Sequence, residues 1–152
     1  MHKHHLPVIG IAVALCLLIG ATLYYPGGTA DIAHTVGYSW THNFLSDLFA
    51  PVARNGAINP ARSIAISAML LMCASLGVVF KYISTKCRSQ FGKKMIEIGG
   101  IGAMVYGFLV SVFAHNLMLN ISLLFAFPAI FAILRVSPSF DSVGEVANAG
   151  IA

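Results

Sequence analysis

Four polar residues between positions 42 and 47 form the one cluster whose side chains could carry out acid–base chemistry or bind a metal ion. They are His42, Asn43, Ser46 and Asp47. An imidazole and a carboxylate can share the transfer of a proton, and both are metal ligands. His115 is a third side chain of the same kind elsewhere in the chain. We therefore take His42, Asp47 and His115 as candidate catalytic residues.

The spacing of the metal-ligating residues argues against a zinc site. Zinc takes three or four ligands, commonly in motifs such as H-E-x-x-H, and no comparable motif occurs here. The residues considered are Asp31, His34, His42, Asp47 and His115. We predict no metal and no cofactor. The alternative that we favour for the polar cluster is a solvated helix face on which Ser46 and Asp47 hydrogen-bond to nearby backbone.

The composition is typical of a membrane protein. Hydrophobic residues make up 58% of the 152 residues and charged residues only 9%, whereas soluble domains carry about 25% charged residues. The net charge is +4, but five of the nine basic residues fall together between two apolar segments. They are Lys81, Lys86, Arg88, Lys93 and Lys94. This arrangement favours membrane orientation and attraction to anionic lipid, so we predict no nucleic-acid partner.

Four apolar segments are each long enough to cross a bilayer, which takes about 20 residues as a helix. They cover residues 6–25, 63–82, 95–114 and 117–136. The first segment is longer than the apolar core of a signal peptide and ends at Tyr24 and Tyr25, a pair typical of an interfacial anchor. The sequence therefore predicts an all-α integral membrane four-helix bundle over residues 1–136, followed by a flexible cytoplasmic tail over residues 137–152.

Individual residues predict how these helices begin and pack. Asn59 and Pro60 are typical of a helix start, with Asn as the cap and Pro in the first helical position. Gly99, Ala103 and Gly107 recur every four residues. One face of the third helix therefore lacks bulky side chains and should pack closely against a neighbouring helix.

Three residues within the spans are polar or disrupt a helix. We expect Glu97 to reach the membrane surface or to pair with Lys93 or Lys94. We expect Asn120 to form a hydrogen bond to another helix. Pro128 should kink the fourth helix because it has no N–H to donate.

The distribution of Lys and Arg predicts the orientation. Because these residues collect on the cytoplasmic side of a membrane, the first loop, from Pro26 to Arg62, should lie outside and both termini in the cytoplasm. Apolar residues in this loop fall on one side of a helix that would end before Pro51. They are Trp40, Phe44, Leu45, Leu48 and Phe49. This pattern predicts a short amphipathic helix in the outer interface, with the polar cluster on its opposite side.

Several short motifs around the first loop carry a family resemblance. They are Tyr-Pro-Gly-Gly-Thr at 25–29, Gly-Tyr-Ser-Trp at 37–40, Asn-Phe-Leu-Ser-Asp-Leu at 43–48 and Asn-Pro at 59–60. The chain resembles, over roughly residues 6–136, the prokaryotic membrane protein family called domain of unknown function 998, and more distantly the damage-regulated autophagy modulator group. This resemblance implies a prokaryotic plasma membrane location. It makes Asn43, Ser46 and Asp47 motif positions without a catalytic role. Because family members typically have six helices, it implies either a shortened member or a truncated reading frame.

No complete catalytic constellation is present, so we expect a non-enzymatic protein that associates with membrane lipids, with further copies of itself or with another membrane protein. The first alternative is a metal-dependent hydrolase at the outer interface that uses His42, Asp47 and His115. The second is a transporter or channel subunit. The near absence of ionisable residues at mid-depth in the spans argues against transport, because ion pathways usually need such groups.

Overall fold

Four α-helices make up the fold. The structure is a computed structural model that describes residues 5–113 and 115–136. The helices are α1 (Leu6–Thr22), α2 (Ala61–Lys86), α3 (Gln90–Val110) and α4 (His115–Val136), and a short 3-10 helix covers Leu45–Phe49. Within these described ranges, the extended pairings are two isolated bridges, Gly27 with Val36 and Val52 with Ile58. The prediction of an all-helical chain is confirmed.

The helix boundaries differ from the predicted spans at their polar ends. Helix α1 ends at Thr22, where the hydroxyl donates to the carbonyl of Ile19 at 2.7 Å, so the predicted end at Tyr25 is too late. Helix α3 begins before its apolar segment because the Ser89 hydroxyl caps it by accepting from the Gly92 N–H. The predicted flexible tail, residues 137–152, lies outside the described residues.

Asn59 helps to begin α2, but from one position further out than predicted. Pro60 occupies the cap position and Ala61 is the first helical residue. The Asn59 side-chain oxygen accepts a hydrogen bond from the Ala61 N–H at 3.1 Å. One of the free donors at the start of α2 is therefore satisfied by a side chain, as the sequence indicates.

Each helix packs mainly against its neighbours in the chain. Helix α1 contacts α2, α2 contacts α3, and α3 contacts α4, with no comparable contact between α1 and α4 in the described part of the chain. Helices α2 and α3 are connected by residues 87–89. They run antiparallel, since Gly100 lies against Phe80 and Gly107 lies near Cys73. Helix α3 therefore contacts two helices, α2 on one side and α4 on another.

Helices α2 and α4 are long and apolar enough to cross a membrane. In the most apolar 18-residue stretch of each helix, only 17% of α2 and 11% of α4 is buried inside the fold. Helix α1 is also apolar but shorter. Large apolar side chains are exposed on all four helices. Examples are Val8, Ile19, Leu70, Ile98, Phe127 and Leu134. Much of the apolar surface of these helices therefore faces outward.

The small-residue face of α3 lies against α4 at Gly99. A Cβ atom placed on Gly99 would stand 2.7 Å from the carbonyl oxygen of Phe125 and 3.0 Å from the Cβ of Ala129. Ala103, one turn further along, is also buried. The two helix backbones therefore approach closely because position 99 has no side chain.

The polar contact between α3 and α4 comes from Ser122 instead of Asn120. The Ser122 hydroxyl donates to the carbonyl of Ala103 at 2.9 Å, whereas the Asn120 side chain is exposed. Residues two positions apart on a helix point in different directions. The rotation of α4 about its own axis therefore decides which of the two reaches α3.

Glu97 pairs with a residue of α2. Its carboxylate contacts the ammonium group of Lys81, so the expected pairing with Lys93 or Lys94 is wrong. The short connection at residues 87–89 brings the end of α2 beside the start of α3. A lysine on the adjacent helix therefore reaches the carboxylate across the helix contact.

We predict that Gly99→Ala lowers the free energy of unfolding by about 1–3 kcal/mol, because the added methyl group overpacks the contact with α4. Gly107→Ala is the matched control, since a Cβ there would stand 3.6 Å from the Ser122 hydroxyl, an ordinary contact distance. Thermal unfolding of both variants in mild detergent, followed by circular dichroism, measures the difference. Equal stability of the two variants would contradict the close α3–α4 contact.

Candidate functional site

The α1–α2 loop, residues 23–60, contains most of the predicted site residues. The amphipathic helix predicted around residues 40–49 is wrong, because only Leu45–Phe49 is helical and it forms a 3-10 helix. The two motif residues Ser46 and Asp47 separate: Ser46 is exposed, whereas Asp47 is buried. A buried carboxylate cannot belong to the solvated face of an interfacial helix. The conformation around Asp47 must therefore have a cause other than helical amphipathicity.

That cause is the set of hydrogen bonds to the Asp47 carboxylate. Its Oδ2 accepts from the Asn43 amide at 3.1 Å and from the Phe44 backbone N–H at 3.0 Å. Its Oδ1 accepts from Arg54 Nε at 3.0 Å and lies 2.9 Å from Arg54 Nη2. Both oxygens are therefore engaged, and the guanidinium compensates the buried negative charge.

Asn43 extends this network to the start of the loop. Its side-chain oxygen accepts from the Ser39 N–H at 2.9 Å, and its amide donates to the carbonyl of Gly28 at 2.8 Å. Gly28 has a φ of +84° and lies so close to the backbone of Arg54 and Asn55 that a Cβ there would collide with it. Three parts of the loop that are distant in sequence therefore meet at Asn43 and Gly28.

Asn59 connects the end of the loop to the 3-10 helix. Its amide nitrogen lies 3.2 Å from the carbonyl oxygens of Asp47 and Leu48, and 2.9 Å from that of Ala50. These carbonyls lie at the end of a short helix, where most backbone acceptors have no helical partner. A single buried amide therefore closes the 3-10 helix and, through its oxygen, begins α2.

Leu48 and Tyr25 attach the loop to the ends of α1 and α2. Leu48 is fully buried in a cluster with Leu18, Ala21, Tyr25, Ala53, Ala61, Ala65 and Ala68. The Tyr25 hydroxyl accepts from the Arg54 N–H at 3.0 Å, and its ring stands edge-on to that of Tyr38 at 5.7 Å. The prediction of Tyr25 as an interfacial anchor is therefore wrong, whereas Tyr24 is 58% exposed.

The candidate catalytic residues are not brought together in the described part of the chain. His42 is exposed, and its Nδ1 lies 2.7 Å from the Thr41 hydroxyl and 3.2 Å from that of Ser39. It forms no ion pair with Asp47. His115 is the first residue of α4, and its side chain lies outside the described structure. Among the described residues, no three His, Cys, Asp or Glu side chains gather into a metal site.

Comparison with known protein families, with curated proteins and with solved structures finds no match for this chain. The family resemblance of the loop motifs stays a prediction. Of the three motif positions, Asn43 and Asp47 bond to each other and Ser46 is exposed.

Arg54 is the residue of this cluster that the sequence pattern did not indicate. It is the one Lys or Arg in residues 23–60, and it binds both Asp47 and, through its backbone N–H, Tyr25. A single basic residue in a loop that also contains a carboxylate was the available signal. Its pairing with Asp47 rather than with the other acidic residue, Asp31, follows only from the folded loop.

We predict that Asp47→Ala lowers the free energy of unfolding by about 2–3 kcal/mol, because it removes a buried acceptor of backbone and guanidinium hydrogen bonds. Asp31→Ala, at an exposed position of the same loop, should change it by less than about 0.5 kcal/mol. Thermal unfolding and limited proteolysis within residues 23–60 measure both effects. Rapid cleavage of both variants, or of neither, would contradict the structural role of Asp47.

We also predict a late titration of Tyr38. Burial raises its pKa above the usual value of 10.0, and the Asp47 carboxylate and the Tyr25 phenol raise it further. The fold thus favours the neutral phenol, so its stabilising contribution is complete below pH 10 and is lost as the pH rises through the pKa of the folded state. The tyrosinate absorbance of the wild type minus that of Tyr38→Phe measures this pKa. Asp47→Ala should lower it, and an unchanged value would contradict the coupling.

Proposed function

We propose that this chain is an integral membrane protein whose four helices cross a prokaryotic plasma membrane as a bundle. In this proposal the α1–α2 loop lies outside and both termini lie in the cytoplasm. The protein is not an enzyme but associates with membrane lipids, with further copies of itself or with a partner membrane protein.

The observation that carries the proposal is the low burial of the most apolar helices. A helix in the core of a soluble protein is mostly buried. In the most apolar 18-residue stretches of α2 and α4, only 17% and 11% are buried. Soluble monomers rarely expose continuous apolar patches larger than a few hundred Å². Lipid as the surrounding solvent explains why these faces are apolar and outward.

The two remaining helices are compatible with a membrane but less clear by composition. Helix α1 has 17 residues, about 25 Å of helix, which is near the lower limit for a span. Helix α3 begins with Lys93, Lys94 and Glu97 within its first turns. The contact between Glu97 and Lys81 lowers the cost of bringing a carboxylate near the hydrocarbon, because the pair is closer to neutral than either ion alone.

The distribution of Lys and Arg supports the proposed orientation. The loop end of the molecule has two such residues, Arg54 and Arg62. Arg54 is bound to Asp47, and Arg62 donates from Nε to the carbonyl of Phe49 at 3.0 Å. The segment around the α2–α3 connection contains Lys86, Arg88 and Lys93, none of which forms an ion pair with a described residue. Such uncompensated charge collects on the cytoplasmic side.

The α1–α2 loop supports association more than catalysis. Its central carboxylate is fully occupied, and the metal-dependent hydrolase gains no support from the described residues. The folded loop instead presents large apolar side chains, with Val36 95%, Trp40 65% and Ile58 84% exposed. A folded loop with exposed aromatic and aliphatic groups is suited to the membrane interface or to a partner at that surface.

We predict the orientation through two single-cysteine variants expressed in bacterial spheroplasts. Both carry Cys16→Ala and Cys73→Ala, which remove the thiols within α1 and α2. One retains Cys87 in the α2–α3 connection. The other combines Cys87→Ser with Ser46→Cys at an exposed loop position. A membrane-impermeant maleimide should label the second variant and label Cys87 only after the membrane is permeabilised.

Carbonate extraction of the same membranes is the control for integration, because integral proteins stay with the lipid at alkaline pH. Release of the chain into the supernatant would disprove the membrane proposal. Retention with the opposite labelling pattern would disprove only the orientation.

A further inference from the structure

An open groove between α3 and α4 is lined by apolar residues and one cation. It encloses about 530 Å³, within the range of about 300–1,000 Å³ that is usual for small-ligand sites. Met95, Ile98, Leu124 and Pro128 contribute to its lining, and so does Lys94, whose side chain is otherwise exposed. A groove with this chemistry matches a molecule that has a long apolar part and an anionic group at one end.

The shape of the groove follows from the packing of the two helices. At Gly99 the backbone of α3 approaches α4 closely, so the helices meet at the bottom of the groove. Phe91, Met95 and Ile98 recur at helical spacing on the same face of α3. From Phe91 to Gly99 the groove extends along about 12 Å of helix. This length accommodates the part of an acyl chain nearest the headgroup.

Lys94 lines the groove and has no described partner, unlike Lys81, Lys86 and Arg135. Lys81 binds Glu97, Lys86 lies over the ring of Tyr82 at 5.2 Å, and Arg135 lies over the ring of Phe131 at 4.7 Å. Lys94 is exposed and forms no ion pair with a described residue. Its long aliphatic stem can follow the groove while its ammonium group reaches the headgroups.

We propose that this groove binds one acyl chain of an anionic phospholipid from the cytoplasmic leaflet, with the lipid phosphate beside Lys94. The inference rests on the proposed function, since it requires the α2–α3 connection to face the cytoplasm. Apolar burial in the groove holds the chain, and the charge of Lys94 selects the anionic headgroup. The site would retain a single lipid, in addition to the exchangeable lipids around the protein.

The test uses the full chain purified in mild detergent with equal amounts of phosphatidylglycerol and phosphatidylcholine, and native mass spectrometry to count the retained lipids. The wild type should retain one phosphatidylglycerol in preference to phosphatidylcholine. Lys94→Gln should reduce that preference by about fivefold, as expected for one basic residue near an anionic surface. Lys86→Gln is the matched control, because Lys86 does not line the groove.

A second pair of variants tests the groove itself. Leu124→Trp should fill it and abolish retention of the lipid, whereas Leu123→Trp, at an exposed neighbour that does not line the groove, should not. Both proteins should unfold at the wild-type temperature, which distinguishes a filled groove from a misfolded protein.

Equal retention of both lipids by the wild type, or unchanged retention in Lys94→Gln and Leu124→Trp, would overturn the lipid site. A dimer that Leu124→Trp disrupts, with no lipid retained, would also overturn it and would assign the groove to contact between copies. Cysteine labelling and carbonate extraction of the same proteins separate these failures from a failure of the membrane proposal.

Discussion

Residues 23–60 connect two helices with almost no regular secondary structure, so their backbone N–H and C=O groups must be satisfied individually. The side chains of Asp47, Asn43 and Asn59 perform this role. Each binds a backbone group that has no partner in a helix or sheet. Within the described residues, no buried side-chain nitrogen or oxygen lacks a partner. The loop can therefore fold against the ends of α1 and α2, and the burial of Leu48 depends on that fold.

The same network explains which features the sequence could and could not predict. The helices can be predicted because each corresponds to a long apolar segment, and the apolar residues that indicate it lie within that segment. The conformation of residues 40–49 depends on Asp47 binding Arg54 and Asn43 binding Gly28. Helical periodicity places Asp47 on a polar face, but it contains no information about a partner distant in sequence. The prediction of an interfacial helix was therefore wrong at Asp47, because tertiary contacts determine the environment of this residue.

Helix rotation limited prediction in a similar way. The small residues of α3 identify a packing face, but they do not specify which polar residue of α4 meets it. Ser122 does so, and Asn120 two positions earlier is exposed. Two adjacent glycines give α3 its place between two neighbours. Gly99 lies against the backbone of α4, and Gly100, about 100° further around the helix, lies against the Phe80 side chain of α2. In lipid, such close backbone contacts replace the hydrophobic driving force that is absent between apolar helices.

The two ends of the molecule differ in the extent to which their charged side chains form ion pairs. At the α1–α2 loop, the Asp47 carboxylate is bound to the Arg54 guanidinium and to the Phe44 backbone N–H, and Val36, Trp40 and Ile58 are exposed. At the opposite end, Lys93 and Lys94 have no described ion-pair partner, and the α3–α4 groove opens beside Lys94. In the proposed lipid site an anionic headgroup meets Lys94 near the α2–α3 connection, whereas an apolar surface or partner can meet the loop without displacing the Asp47–Arg54 pair. Under that proposal, polar recognition and apolar contact lie at different ends of the molecule.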